Sequence, residues 1–127
     1  DIHSAQAVRP DAIIACMHWG EEYQSLPNRE QRELADWLLE QGVTHIIGSH
    51  PHVIQPMELR EEGNRQHAVV YSLGNFISNM SAANTDGGLI FTLQLEKYPL
   101  PSPIHPLQGR LSYSPLPDSF IPSFPFS

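Results

Sequence analysis

Two histidines flank a proline in the stretch Gly48-Ser49-His50-Pro51-His52-Val53, and a third, His18, follows the apolar run Ala12–Met17. Neutral imidazole is the commonest transition-metal ligand and suits zinc, iron, nickel and copper. A proline disfavours the α conformation in the residue before it, so Pro51 is expected to hold His50 extended. In an extended segment residues i and i+2 point the same way, so His50 and His52 would face one metal ion or two neighbouring ones. Taken alone, His-x-His is as much a polar turn as a metal corner; His18 at a strand end is what strengthens the metal reading.

Other candidates surround these three. Glu22, four residues beyond His18, would be a carboxylate near the metals or a general acid, with a solvated loop glutamate as the plain alternative. Asn75 would donate to a substrate oxygen or order a turn, and Trp19 would wall the pocket or pack. The candidate set is Glu22 and Asn75 as catalytic residues, His18, His50 and His52 as metal ligands, and Trp19 and Ser72 as substrate-binding residues. Ser72 has no partner base beside it, so a Ser-His-Asp mechanism is poorly supported. His45 lies inside Val43–Ile47 and is expected to pack or hydrogen-bond across a sheet. His3, His67 and His105 are expected at the surface.

These residues need elements to bring them together. Ala12–Met17 is a short continuous apolar run, the pattern of a fully buried parallel strand, and Cys16 within it reads as an inert buried thiol. Asn28 followed by Gln31 resembles a capping box, and Leu34, Ala35, Leu38 and Leu39 mark one helical face, with Trp37 beside it. Gly42 stops the helix, and Val43–Ile47 is the next strand. Strand, loop, helix, strand makes a βαβ unit with parallel strands and a right-handed crossover. The carboxyl ends of such strands open onto one edge, where α/β proteins place their ligands, so His18, His50 and His52 are expected to converge there. A third strand is expected at His67–Leu73, after a turn at Glu61–Gln66. A fourth is expected at Gly88–Glu96, where apolar residues alternate. The fold class is thus α/β, a partial fold of a βαβ unit and two further strands, over residues 1–98. Eight of the twelve prolines fall between Pro99 and Pro125, so residues 99–127 read as an extended tail or linker.

A formal net charge of −7 argues against a nucleic-acid partner, because phosphate binding needs clustered Lys and Arg. No apolar stretch approaches the length of a membrane span, so membrane association would come only through other regions of a longer protein. A start at Asp1 rather than Met suggests a fragment.

His-Trp-Gly-Glu-Glu-Tyr at 18–23, P-x-x-x-Q at 27–31, GSHPHVIQPMEL at 48–59 and VVYSLGNFI at 69–77 together resemble the C-terminal half of the CapA family. The resemblance runs from about Asp11 to Leu95. That family is named for poly-γ-glutamate capsule biosynthesis and belongs to the calcineurin-like metallophosphoesterases. The resemblance implies a four-layer sandwich in the full domain, with two divalent ions (Mn, Fe or Zn) at the strand ends. By it, His18 and His50 would ligate the second metal and His52 the first, with GSHPH fitting the family's G-[SHT]-H-P-H form. The bridging aspartate and the other ligands belong to an N-terminal half. Gly74-Asn75 is followed by Phe76, so it belongs to the family's SLGNF motif and not to the ligand motif G-N-H-[DE]. This stretch alone would hold at most one weakly bound ion or none, and would be inactive.

The implied function is part of a metal-dependent hydrolase acting on a phosphoester or an anionic polymer, at the cell envelope or extracellular face, with the cytoplasm as the other compartment. The alternative is a non-catalytic capsule assembly, export or polymer-binding module that retains the fold. An interaction protein working through the proline-rich tail ranks last, since no P-x-x-P with basic flanks is present. A half-domain exposes a sheet face, so a homodimer or an element swap is also expected.

Overall fold

The structure is a computed structural model and describes residues 1–63 and 65–97. In chain order the elements are α1 (Ile2–Ala7), β1 (Ile14–His18), α2 (Arg29–Glu40), β2 (His45–Ser49), β3 (Met57–Glu62) and β4 (Arg65–Val70). One mixed sheet of order β1-β2-β4-β3 results, with β1, β2 and β4 parallel and β3 antiparallel to β4. The α/β class and the β1-α2-β2 unit are as the sequence predicts.

Local chemistry explains why α2 begins and ends where it does. The Asn28 side chain accepts from the Gln31 backbone, and the Gln31 side chain accepts from the Asn28 N–H, so the capping box is complete. At the other end Gly42 adopts φ +88°, its N–H bonds Leu39 O, and the Val43 N–H bonds Leu38 O. These are the two bonds of a Schellman cap, and only a residue at ease in the left-handed region makes them cheaply. Leu38 and Val43 then pack into one core with Ala35, Ile46, Val69, Trp19 and Tyr71. On the exposed side Arg60 of β3 reaches Asp36 of α2 and the Tyr71 hydroxyl.

Several expectations are corrected. β1 is covered on one face only: Ile14 and Cys16 are exposed, so the thiol is not buried. The continuous apolar run shows that both faces suit burial, but the described residues supply a cover for one. β3 has no counterpart in the sequence reading, because Met-Glu-Leu-Arg-Glu-Glu carries its charges on both faces. It forms as an edge strand, where charge protects against further pairing. The expected strand at Gly88–Glu96 is not one; an antiparallel bridge joins Gly74 to Gly88, and the Leu89 N–H bonds Leu73 O. Its alternation survives, with Leu89, Phe91 and Leu93 half-buried and Ile90, Thr92 and Gln94 exposed. Period-2 alternation selects a face but supplies no partner, and both sides of β4 are already taken by β2 and β3. Trp37 is 49% exposed rather than in the core, and His67 is buried rather than superficial. His105 and the proline-rich tail lie outside the described residues.

His45 fulfils its expected role across the sheet: its Nδ1 accepts from the Ala68 N–H at 3.1 Å. That bond needs an unprotonated Nδ1. Burial, with His67 nearby, lowers the His45 pKa below its ordinary value of 6.5. A lowered folded-state pKa means the unfolded chain binds more protons in the window between the two values. The stabilisation is therefore complete above about pH 6.5 and is lost as pH falls through the folded-state value. In urea unfolding between pH 7.5 and 5, His45→Asn should show a flatter fall in midpoint than the parent chain. Parallel pH profiles would remove His45 from this role.

Candidate functional site

The parallel register sets His18 opposite Ser49, so the chain leaves β1 and β2 at the same edge of the sheet. Three loops meet there: 19–28 after β1, 50–56 after β2, and the segment after β4 that begins at Tyr71. Trp19 holds their bases together. Its indole is buried, stacks on Tyr71 with ring centroids 5.9 Å apart, and donates from Nε1 to Tyr71 O at 2.9 Å. Gly48 lies directly beneath. A Cβ at Gly48 would fall on the Tyr71 carbonyl and on Trp19 Nε1, so the close approach of the two strand ends requires glycine. The Leu73 N–H completes the contact by bonding Gly48 O at 3.2 Å.

Buried glutamines fix the first loop against the second. Gln31 Nε2 donates to Gln55 Oε1 at 2.9 Å, and Gln55 Nε2 donates to the carbonyls of Gln24 and Leu26. Both side chains are nearly inaccessible, and the bonds use each amide at both ends. The Tyr23 N–H also bonds Pro51 O at 2.8 Å, which ties the two loop tips directly.

At those tips Glu22, His50 and His52 converge, each offering a donor atom within 4.8 Å of the other two. The Glu22 carboxylate is 3.7 Å from His52 Nε2. The Tyr23 ring stacks over His52 at 6.1 Å, and His50 and His52 have centroids 6.1 Å apart. The His18 ring lies 4.4 Å from that of His50, against the cluster but outside the mutual 4.8 Å set. Two imidazoles and a carboxylate are the donor set of a three-ligand transition-metal site with an open position. The residues present fit one such ion.

The histidines reach this arrangement by an unexpected backbone route. His50 has φ +102° and His52 φ +62°, so His50 is not extended as Pro51 was expected to make it. The restriction before proline favours an extended backbone, so the positive φ of His50 departs from it and is held there by the surrounding contacts. Tyr23 is also at positive φ (+67°). Three such non-glycine residues at one corner store on the order of 1–3 kcal/mol each, the kind of strain that surrounding bonds must hold in place.

The remaining candidates are placed as follows. Trp19 is a core residue with its N–H occupied. Ser72 is fully buried, its Oγ accepting from the Gly74 N–H at 3.2 Å. Asn75 lies beside the cluster with its side chain engaged by His52 and by Thr85 O. Sequence reasoning did not single out Tyr23, Gln55 or Thr85 and read Gln31 only as a cap; a buried glutamine pair leaves no periodic signal, whereas Tyr23 stood beside a named candidate.

Gly48→Ala should break the Trp19–Tyr71 bond and part the strand ends, costing about 2–4 kcal/mol by overpacking and an orphaned buried carbonyl. Chemical denaturation measures this, and a loss under about 0.5 kcal/mol would show that the approach relaxes freely.

A family model described as "Bacterial capsule synthesis protein PGA_cap" matches residues 1–80. The chain is 34% identical over 87 residues to the "PGA biosynthesis protein CapA" of Bacillus subtilis (strain 168), a match covering 68% of this chain and 22% of that protein. It is 36% identical over 81 residues to the "Capsule biosynthesis protein CapA" of Bacillus anthracis, covering 63% of this chain and 19% of that one. The aligned stretches thus correspond to about a fifth of the length of these relatives.

Proposed function

The chain belongs to the bacterial capsule synthesis protein family, and on that premise we propose that it is part of a CapA-like protein of poly-γ-glutamate capsule biosynthesis whose Glu22–His50–His52 corner binds a divalent metal ion. The convergence of those three donor groups carries the reading. Mn, Fe and Zn all suit two imidazoles and a carboxylate. When bound, such an ion supplies Lewis-acid polarisation of a phosphoester or amide oxygen in a hydrolytic reaction. The chain's own contribution is positional. The glutamine pair and the Tyr23–Pro51 bond hold the Glu22 loop against the histidine corner, and the Tyr23 ring covers one side of His52.

A polyanion or phosphoester is the proposed substrate class, and the cell envelope or extracellular face the proposed site of action. A chain with formal net charge −7 approaches a polyanion more readily with a bound cation at the contact. No described helix is long and apolar enough to cross a membrane. The competing reading is a polymer-binding or assembly module without turnover.

Zinc and manganese titrations followed by calorimetry test the site. One ion per chain is expected, with His50→Ala, His52→Ala and Glu22→Ala each weakening binding at least tenfold, or about 1.4 kcal/mol. His18→Ala separates two ligand sets: a change within about twofold favours Glu22 as the third ligand, and a tenfold loss favours His18. Absence of binding by the parent chain would sink the proposal. Binding by the longer protein without hydrolysis of phosphodiester or γ-glutamyl substrates would leave the assembly module.

The sheet edges bear on the self-association expected from the sequence. Among the described residues the outer edge of β1 is unpaired and uncharged from Ile14 to Met17, whereas the other sheet edge is charged β3. We propose that a second copy pairs along β1. Sedimentation should show a dimer at high concentration that Ile14→Lys disrupts, and a monomer throughout would overturn this.

A further inference from the structure

The side chain of Asn75 makes two contacts of opposite kind. Its Oδ1 is 2.9 Å from His52 Nδ1, and its Nδ2 donates to Thr85 O at 3.0 Å and lies 3.6 Å from Met80 Sδ. A backbone carbonyl only accepts, so the amide group facing Thr85 must be the NH2. Turning the amide over would set two oxygens against each other. Thr85 cannot easily yield: it is fully buried and its hydroxyl donates to Ala82 O at 2.6 Å. The Asn75 backbone is held as well, its N–H bonding Gly87 O at 3.0 Å.

The oxygen of Asn75 therefore faces His52, and an oxygen there can only accept. His52 must carry its proton on Nδ1. A neutral imidazole has one N–H, so Nε2 is left as a lone pair, and Nε2 is the atom that faces Glu22 at 3.7 Å. We infer that Asn75 is a positioning residue: it selects the Nδ1–H tautomer of His52 and so presents Nε2 as the donor atom toward Glu22 and His50. The chain of constraint runs from buried Thr85 through the Asn75 amide to the imidazole. This rests on the metal reading only for what the lone pair is used for; the tautomer itself follows from the hydrogen bonds. It also differs from the catalytic role expected of Asn75, because neither end of its amide is free for a substrate.

Long-range proton–nitrogen NMR of the imidazoles in the metal-free, full 127-residue chain tests this, at about two pH units above the ordinary histidine value of 6.5. In the parent chain His52 should show a protonated Nδ1 and a lone-pair Nε2. Asn75→Ala should abolish the preference and let the Nε2–H tautomer grow. Asn75→Asp keeps the accepting oxygen while losing the bond to Thr85 O, so it should retain the parent tautomer. Zinc affinity should fall about 10–100-fold in Asn75→Ala and hold within tenfold in Asn75→Asp, as for partners that orient metal-bound histidines. A purely structural role would make both variants fail alike. His52 protonated on Nε2 in the parent chain, or unchanged in Asn75→Ala, overturns the proposal. If Asn75→Ala does not fold, the parent and Asn75→Asp spectra decide alone. Predicted tautomers without zinc binding by the parent would uphold the positioning role while removing the metal reading.

Discussion

The close approach of Gly48 to the Tyr71 carbonyl, under the Trp19 indole, is the constraint from which the candidate site takes its shape. Three strand ends meet at that point, and each loop with a chemically capable side chain leaves from it. β1 continues into Trp19 and then Glu22, β2 passes through Gly48 to His50 and His52, and β4 runs through Tyr71 to Asn75. A parallel sheet brings strand ends to one edge by topology, but it does not set the gap between them. Here the gap is set by a missing side chain and one buried hydrogen bond. Both are short-range, unforgiving terms in a close-packed interior.

Beyond this rivet the loops are held by polar groups rather than by apolar packing. Gln31 shows how economical that is. Its backbone N–H completes the helix cap, its Oε1 accepts from Asn28, and its Nε2 holds Gln55. One residue thereby links the start of α2 to the histidine corner. Each bond contributes about 1 kcal/mol net, yet leaving one member unpaired in a buried network costs more than that. The Glu22 loop is therefore placed by a connected set that works as a unit. Sites supported on such rigid elements hold geometry better than free loops do.

Most of the scaffold was legible in the residues. The cap at Asn28, the stop at Gly42 and the β-branched run before Gly48 are local signals, and local physics decided them. The reading failed where a neighbour decides. Gly88–Glu96 has a strand's alternation but finds both sides of β4 already taken, and Met57–Glu62 carries charge on both faces yet pairs because β4 offers an edge. Cys16 and Trp37 look apolar enough to be buried, but the described residues leave both exposed. At the site, residue types pointed to His50, His52 and Glu22, while the backbone that joins them was misjudged. Proline favours an extended predecessor; the departure of His50 from that rule depends on contacts such as Tyr23 with Pro51, which no spacing reveals.

The left-handed backbone at His50 and His52 has a further consequence. On conformational grounds the residue best suited to both positions is glycine, with asparagine next, and histidine is a poor third. Replacing either histidine by glycine would relax the chain while removing an imidazole from the corner. Stability and chemistry therefore pull in opposite directions at these two positions. A search for more thermostable forms of this fold, blind to function, would be drawn to the same two residues and would erase the corner first.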